Sequence, residues 1–267
     1  MHGKYFQAVV KPTITAANQH TAFTNRDVLF DWTPIEIPKG TAKLVSVVAF
    51  VRPKGDAGAT SNIVPIYLWF ATDDRTSFGT INSAQDDRPH DVDLVGCMEI
   101  TSESVIAMGA NTSITTMVSG PTFDADHGKF DPLIFSPKLE YDDTSGLGTL
   151  ANTTPGFGRI YVAAISGGHD FTTINRVAEA DAVAGAQSVI TMDDGSGGGT
   201  MDCREHFTRG DIIHGHDGSG TDDVVLGEVL SVGNTAITLT AGTTDALRED
   251  DFVYNVNPIK FVFNFEY

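Results

Sequence analysis

Along most of the chain apolar and polar residues alternate with a period of two, the pattern of a strand that buries one of its faces. The carboxyl end is the clearest case. In "PIKFVFNFEY" Ile259, Phe261, Phe263, Phe265 and Tyr267 fall on one face, and Lys260, Asn264 and Glu266 on the other. "VDLVGCMEI" alternates too, with Val92, Leu94, Met98 and Ile100 in phase. Further strand-like runs are "DVLFDW", "KLVSVVAFVR", "IVPIYLWFA" and "GRIYVAAIS", separated by turn-rich clusters such as "RPKGDAGATSN". Many short strands with almost no helical stripe predict an all-β sandwich or barrel. The one helical candidate is "TTINRVAEADAVAGAQ", residues 172–187, where Thr172 or Thr173 offers a cap and Gly185 a stop.

Charge changes character beyond that segment. Residues 177–255 hold 15 acidic side chains against three basic ones, Arg204, Arg209 and Arg248, for a net −12; the remaining 188 residues carry 20 acidic and 14 basic, for a net −6. Within the acidic stretch five short strands can be read: "QSVITMD", "GDIIHGH", "VVLGEVLSV", "AITLTAG" and "DFVYNV". "VGN" before "TAITLT" is a hairpin signal, since Gly233 and Asn234 tolerate the positive φ of a tight turn. The phenylalanine-rich strand that follows is too hydrophobic to serve a small module alone. The small module is therefore expected to be inserted before the last strand of a larger one, and pairing of the two termini in one sheet would hold ends that otherwise fray.

The succession "AGAQSVIT", "GDII", "LGEVLSV", "ITLTAG", "DDFVYNV", over residues 184–256, resembles the small β-barrel modules of tailed-bacteriophage virion proteins. The resemblance implies a structural role in a virion. The strand count of the rest suits the jelly-roll sandwiches common in capsid-decorating and tail-associated proteins. The expected architecture is thus all-β. A large antiparallel, jelly-roll-like sandwich spans residues 1–176 and 256–267, and an inserted small acidic β-barrel spans 177–255.

Composition narrows the partners. The net charge of −18 repels phosphate backbones, and no basic stripe with interleaved aromatics occurs, so neither nucleic acid nor membrane is expected as a partner. The runs "LVSVVAFV" and "IVPIYLWFA" are under half a membrane span, and the amino terminus lacks the apolar core of a secretory signal. Cys97 and Cys203 form no CxxC or metal-ligand set and read as plain buried or half-buried thiols.

Two segments concentrate ligand-type side chains. "HGHDGSGTDD", residues 214–223, places His214 and His216 two apart on a strand, where they point the same way, with Asp217, Asp222 and Asp223 after them. No third His or Cys stands at a zinc spacing, and the aspartates do not fit a calcium loop. "FDADHGKFD", with Asp124, Asp126 and Asp131 around Gly128, is similarly incomplete. Both read as solvated turns, so no metal and no cofactor are expected. Nucleophile elbows, zincin helices and phosphate cradles are missing, and the chain does not read as an enzyme. The aromatic candidates are Trp32, Tyr67, Trp69 and Phe70, which a β surface can use to stack sugars or anchor a partner.

The expected function is that of a virion structural protein decorating or cementing a phage particle, its acidic module turned to solvent. Its partners would be the major capsid protein or other virion proteins and further copies of itself, with a trimer as the suggested assembly. The alternative is a tail-associated receptor- or glycan-binding protein.

Overall fold

A computed structural model describes residues 4–56, 59–85, 92–102, 105–108, 112–119, 129–131, 133–136, 156–173, 175–177, 188–193, 202–216, 223–243 and 250–267. In chain order the elements are β1 (Tyr5–Val10), α1 (Ala16–Gln19), β2 (Asn25–Pro38), β3 (Ala42–Val51), β4 (Ile66–Ala71), β5 (Leu94–Ile100), β6 (Val105–Met108) and β7 (Thr112–Ser119). There follow β8 (Lys129–Phe130), β9 (Ile134–Phe135), β10 (Phe157–Gly167), β11 (Arg176–Val177) and β12 (Val189–Asp193). The chain continues with α2 (Cys203–His206), β13 (Ile212–His216), β14 (Asp223–Val232), β15 (Ala236–Leu239), β16 (Phe252–Asn255) and β17 (Ile259–Glu266).

The protein is an all-β sandwich. One sheet has the order β1-β17-β3-β7-β6, and the facing sheet the order β2-β10-β4-β5. The pairings are nested. β1 pairs with β17, β2 with β10, β3 with β7 and β4 with β5, all antiparallel. First pairs with last, second with second-last and so inward, as when one long hairpin is rolled up; this is the jelly-roll order. β11 to β16 lie outside these sheets. They pair in a ring, β11-β12-β15-β14-β13-β16, between the jelly roll's seventh strand, β10, and its last, β17. The ring returns to β11 through one register, Arg176↔Phe252.

Each body has its own apolar core. In the sandwich, Phe261, Phe263 and Phe265 of β17 point inward with Leu44, Val47 and Ala49 of β3, and meet Leu68 and Phe70 of β4 and Ile160 and Val162 of β10. The rings interlock: Phe263 lies 5.9 Å from Phe70 edge-on, Phe265 5.8 Å from Phe135, and Phe261 5.8 Å from Phe30. Burying each such ring contributes about 1.5–3 kcal/mol. Tyr267 departs from the alternation: it lies beyond β17 and is 43% exposed, although its backbone pairs with Lys4. The ring of strands closes on a second cluster that includes Ile190, Phe207, Ile213, Leu226, Val229, Ile237 and Val253.

Two local expectations are corrected. Of residues 172–187 only 172, 173 and 175–177 are described, and none is helical: Thr173 makes a β-bridge, and Arg176 and Val177 form β11. Asp170 Oδ1 accepts from both Thr172 N and Thr172 Oγ1, and Thr173 Oγ1 accepts from Asn175 N. What takes this segment out of a helix is strand pairing, Arg176 with Asp193 and Val177 with Met192. Gly55 bridges Thr173 in parallel, and a Cβ on Gly55 would lie 2.3 Å from Thr172 O, so glycine allows this close approach. The β14–β15 hairpin forms, with Gly233 N bonded to Ala236 O at 2.8 Å, but neither Gly233 nor Asn234 has positive φ. The connection between β14 and β15 has three residues, Gly233 to Thr235, so it is not the two-residue loop that takes a mirror-image turn.

The joint between the two bodies is polar. Arg52, just past β3, sends Nη2 to both carboxylate oxygens of Asp211, at 2.8 and 2.7 Å, and to Thr208 Oγ1. Asp211 also accepts from Thr208 N. Near the sandwich end of the connection His169 is fully buried. Ser166 Oγ accepts from Gly168 N and His169 N, leaving its own hydrogen to donate to His169 Nδ1 at 2.9 Å. Burial pushes the imidazole pKa down to about 3, and that hydrogen bond suits the neutral ring.

Two expected outcomes follow from this joint. Truncating Arg52 or Asp211 to alanine leaves the other half-buried charge unpaired and should lower unfolding stability by about 1–3 kcal/mol, with a double-mutant cycle giving coupling of about 1 kcal/mol or more. A coupling of zero would mean that the pair does not hold the bodies together. For His169, the folded pKa lies below the unfolded one, so the unfolded state takes up the proton first. Its stabilising contribution is whole above about pH 6.5 and is lost as pH falls toward 3, by about 1.4 kcal/mol per unit. Urea unfolding at several pH values should have a shallower acid limb in His169→Gln than in the parent; an identical slope would contradict the assignment.

Candidate functional site

His214 and His216 share a side of β13, opposite the core residue Ile213, and their surroundings differ. His216 is buried because α1 of the sandwich covers it. Its ring stacks on His20, with centroids 4.9 Å apart, and meets Tyr254 edge-on at 6.2 Å. His20 Nδ1 lies 3.3 Å from the Tyr254 hydroxyl. The pair is therefore part of the joint, where flat half-polar rings pack against one another. His214 is half-buried and stands opposite Tyr254 and Val225 in the ladders. Among the described residues no three His, Cys, Asp or Glu side chains converge as a metal site would need. Asp217, Asp124 and Asp126 lie outside the described residues, as does Asp222.

The aromatic candidates divide by strand phase. Phe70 points into the core, whereas Tyr67 and Trp69 point outward from β4 and are half-buried. Cys97, opposite Trp69 on β5, is exposed and not the buried thiol its sequence context suggested; its neighbour Met98 takes the inward position. Cys203 is buried, and burial raises its thiol pKa to about 12.

A strap crosses this outer face. Residues 72–85, between β4 and β5, run over to the edge of β2. Phe78, buried, stands edge-on to Trp32 at 5.0 Å and tilted to Trp69 at 6.1 Å. Asp31 accepts from Phe78 N and from Ser77 Oγ, both at 2.6 Å. Val28 N donates to Ser83 O, and Asn82 Nδ2 reaches the carbonyls of Asn18 and Thr21. The strap is thus a fixed wall. Between it and β5 lies a concavity of about 760 Å³, lined by Tyr67 and Trp69 of β4, Cys97 and Glu99 of β5, Arg26 of β2 and Gln85 of the strap.

Its polar groups are unevenly satisfied. Trp32 Nε1 donates to Thr76 O of the strap at 2.9 Å. Trp69 Nε1 and Gln85 Nε2 are buried and have no hydrogen-bond partner among the described residues. An unmade hydrogen bond of this kind costs about 1–3 kcal/mol, and two line the same hollow. Arg26 beside them has φ +78°, a left-handed conformation that a non-glycine residue avoids.

The opposite outer face, on β1, β17, β3 and β7, has a different character. Val9, Val262, Val48 and Thr116 form one cross-strand row; Lys260, Phe50 and Ile114 form the next, with Ile106 of β6 at its edge. Val9, Ile106 and Val118 are exposed at 57%, 68% and 46%. Lys260 Nζ sits 4.2 Å over the Phe50 ring. At one end the face runs into a notch of about 270 Å³ bordered by Lys11, Lys260, Arg209, Arg52 and Asp211. Lys43, exposed, lies at its other end, opposite Glu266. Sequence alone hides this grouping, because Lys11, Lys43 and Lys260 are brought together only by the pairing of first, third and last strands.

The packing role of His216 has a measurable consequence. His216→Ala removes a buried ring from the joint and should lower stability by about 1–3 kcal/mol in denaturant unfolding, whereas His214→Ala should change it by less than about 1 kcal/mol. Equal effects would count against the joint. The chain matches no family model, no curated protein and no solved structure.

Proposed function

We propose that this chain is a structural protein of a tailed-phage virion, cementing or decorating the particle through the outer face of β1, β17, β3 and β7. One observation carries the reading. A chain of net charge −18 places Lys11, Lys43 and Lys260 at the margins of a sheet face on which Val9, Ile106 and Val118 are exposed. Such a face suits an acidic protein surface: valines and Phe50 supply apolar contact, and lysines at the margins steer and orient the approach. The jelly-roll order and the inserted barrel agree with the resemblance to virion modules. Repetition of the contact over a symmetric shell gives retention through avidity, without a strong single contact. The acidic barrel then lies away from the shell and keeps neighbouring particles apart by charge.

Purified particles of the virus encoding the chain should contain it in many copies. Lys11→Glu/Lys43→Glu, two exposed positions, should lower rebinding to particles stripped of the protein by about tenfold, and raising salt from about 0.1 to 1 M should weaken the parent's binding. A chain absent from particles and found only as a soluble species overturns the proposal.

A further inference from the structure

The concavity on the other outer face is suited to a ligand, and we propose that it binds a neutral carbohydrate. Four observations converge there. The hollow, about 760 Å³, falls within the roughly 300–1,000 Å³ range of small-molecule sites. Tyr67 and Trp69 stand side by side on the outward phase of β4, half-buried, so part of each ring remains open to a flat apolar partner. Trp69 Nε1 and Gln85 Nε2 are both donors and both lack an acceptor among the described residues. The wall is held still, since the strap is hydrogen-bonded to β2 through Asp31, Val28 and Asn82.

Chemistry selects the ligand. A pyranose offers an apolar C–H face to an aromatic ring and hydroxyl oxygens around its rim to N–H donors. Because Trp69 Nε1 is itself buried, bonding to such an oxygen requires the ring to turn toward the hollow as the sugar enters. Arg26 adds further donors at the strap edge, and Glu99, opposite Tyr67, is an acceptor for hydroxyl hydrogens. The same carboxylate and the chain's net charge of −18 disfavour sialylated or sulfated sugars. The contrast with Trp32 is informative: its indole N–H is already taken by Thr76 O, so of the two tryptophans only Trp69 has a donor to give. The two outer faces belong to opposite sides of the sandwich, so sugar binding is independent of the particle contact.

Cys97 supplies the probe, because it lines the hollow and is exposed while Cys203 is buried. The full chain is applied to an array of neutral hexose oligosaccharides with sialylated and sulfated glycans alongside, and hits are titrated by tryptophan fluorescence. Neutral oligosaccharides should bind saturably. At about ten times Kd the bound sugar should slow maleimide alkylation of Cys97 by about tenfold, in proportion to occupancy. Protein alkylated beforehand at Cys97 should lose sugar binding while keeping its rebinding to particles. Trp69→Phe, which keeps a ring but removes the N–H, should weaken binding by about tenfold, while Lys43→Glu leaves it unchanged. Three results overturn the proposal: no neutral sugar binds, only anionic glycans bind, or sugar binds without protecting Cys97 and without sensitivity to Trp69→Phe.

Discussion

The structure depends on the placement of its last strand. β17 is not an edge: it lies between β1 and β3, and its phenylalanines fill the middle of the sandwich. Until residues 259–266 arrive, β1 has no partner in that sheet, Phe30 lacks the ring of Phe261, and Phe70 and Phe135 have each other but not Phe263 and Phe265. The sandwich is therefore completed only when both chain ends meet across β1 and β17. This is a contact of very long sequence separation, which places the fold among those dominated by non-local pairing.

That constraint explains how about ninety residues can stand between the seventh and last strands. The chain leaves and returns at one place. Val253 N bonds to Asn175 O, Ile14 N to Val256 O, and Arg52 N to Pro258 O, so the two crossing segments are fastened to each other and to the sandwich. With its ends held together, the insertion closes no additional loop in the jelly roll, and the entropic cost of its length falls on the small body itself. Its separate core repays that cost locally. What remains at the joint is polar and aromatic: Arg52 with Asp211, and His20 with His216 and Tyr254. Such contacts set an orientation by geometry, where a broad apolar seam would merge the two cores.

The sequence made the strands legible because a period of two is a local property. "PIKFVFNFEY" announces a buried strand whatever its neighbours are, and the charge change after residue 176 is visible without coordinates. Partners across the sheet are a different matter. Period two says that Trp69 and Phe70 face opposite ways but not which way is inward, and Cys97 was misjudged for that reason. The start of the supposed helix after Thr172 is taken instead by strand pairing of Arg176 and Val177 with β12, a tertiary contact that local helix propensity ignores. In "HGHDGSGTDD" the two histidines were rightly placed on one side of a strand. Their meaning depended on His20, almost two hundred residues away, which turns a chelate-like pair into a packing contact.

The jelly roll finally explains why two unlike surfaces can coexist on one chain. Nested pairing assigns first, third and last strands to one sheet and second and fourth to the other, so residues distant in sequence are sorted by strand rank. Lysines at positions 11, 43 and 260 fall on one side by this sorting; Tyr67, Trp69 and Arg26 fall on the other. The closely packed core between them holds the two surfaces at a fixed separation, so each is presented by its own set of strands.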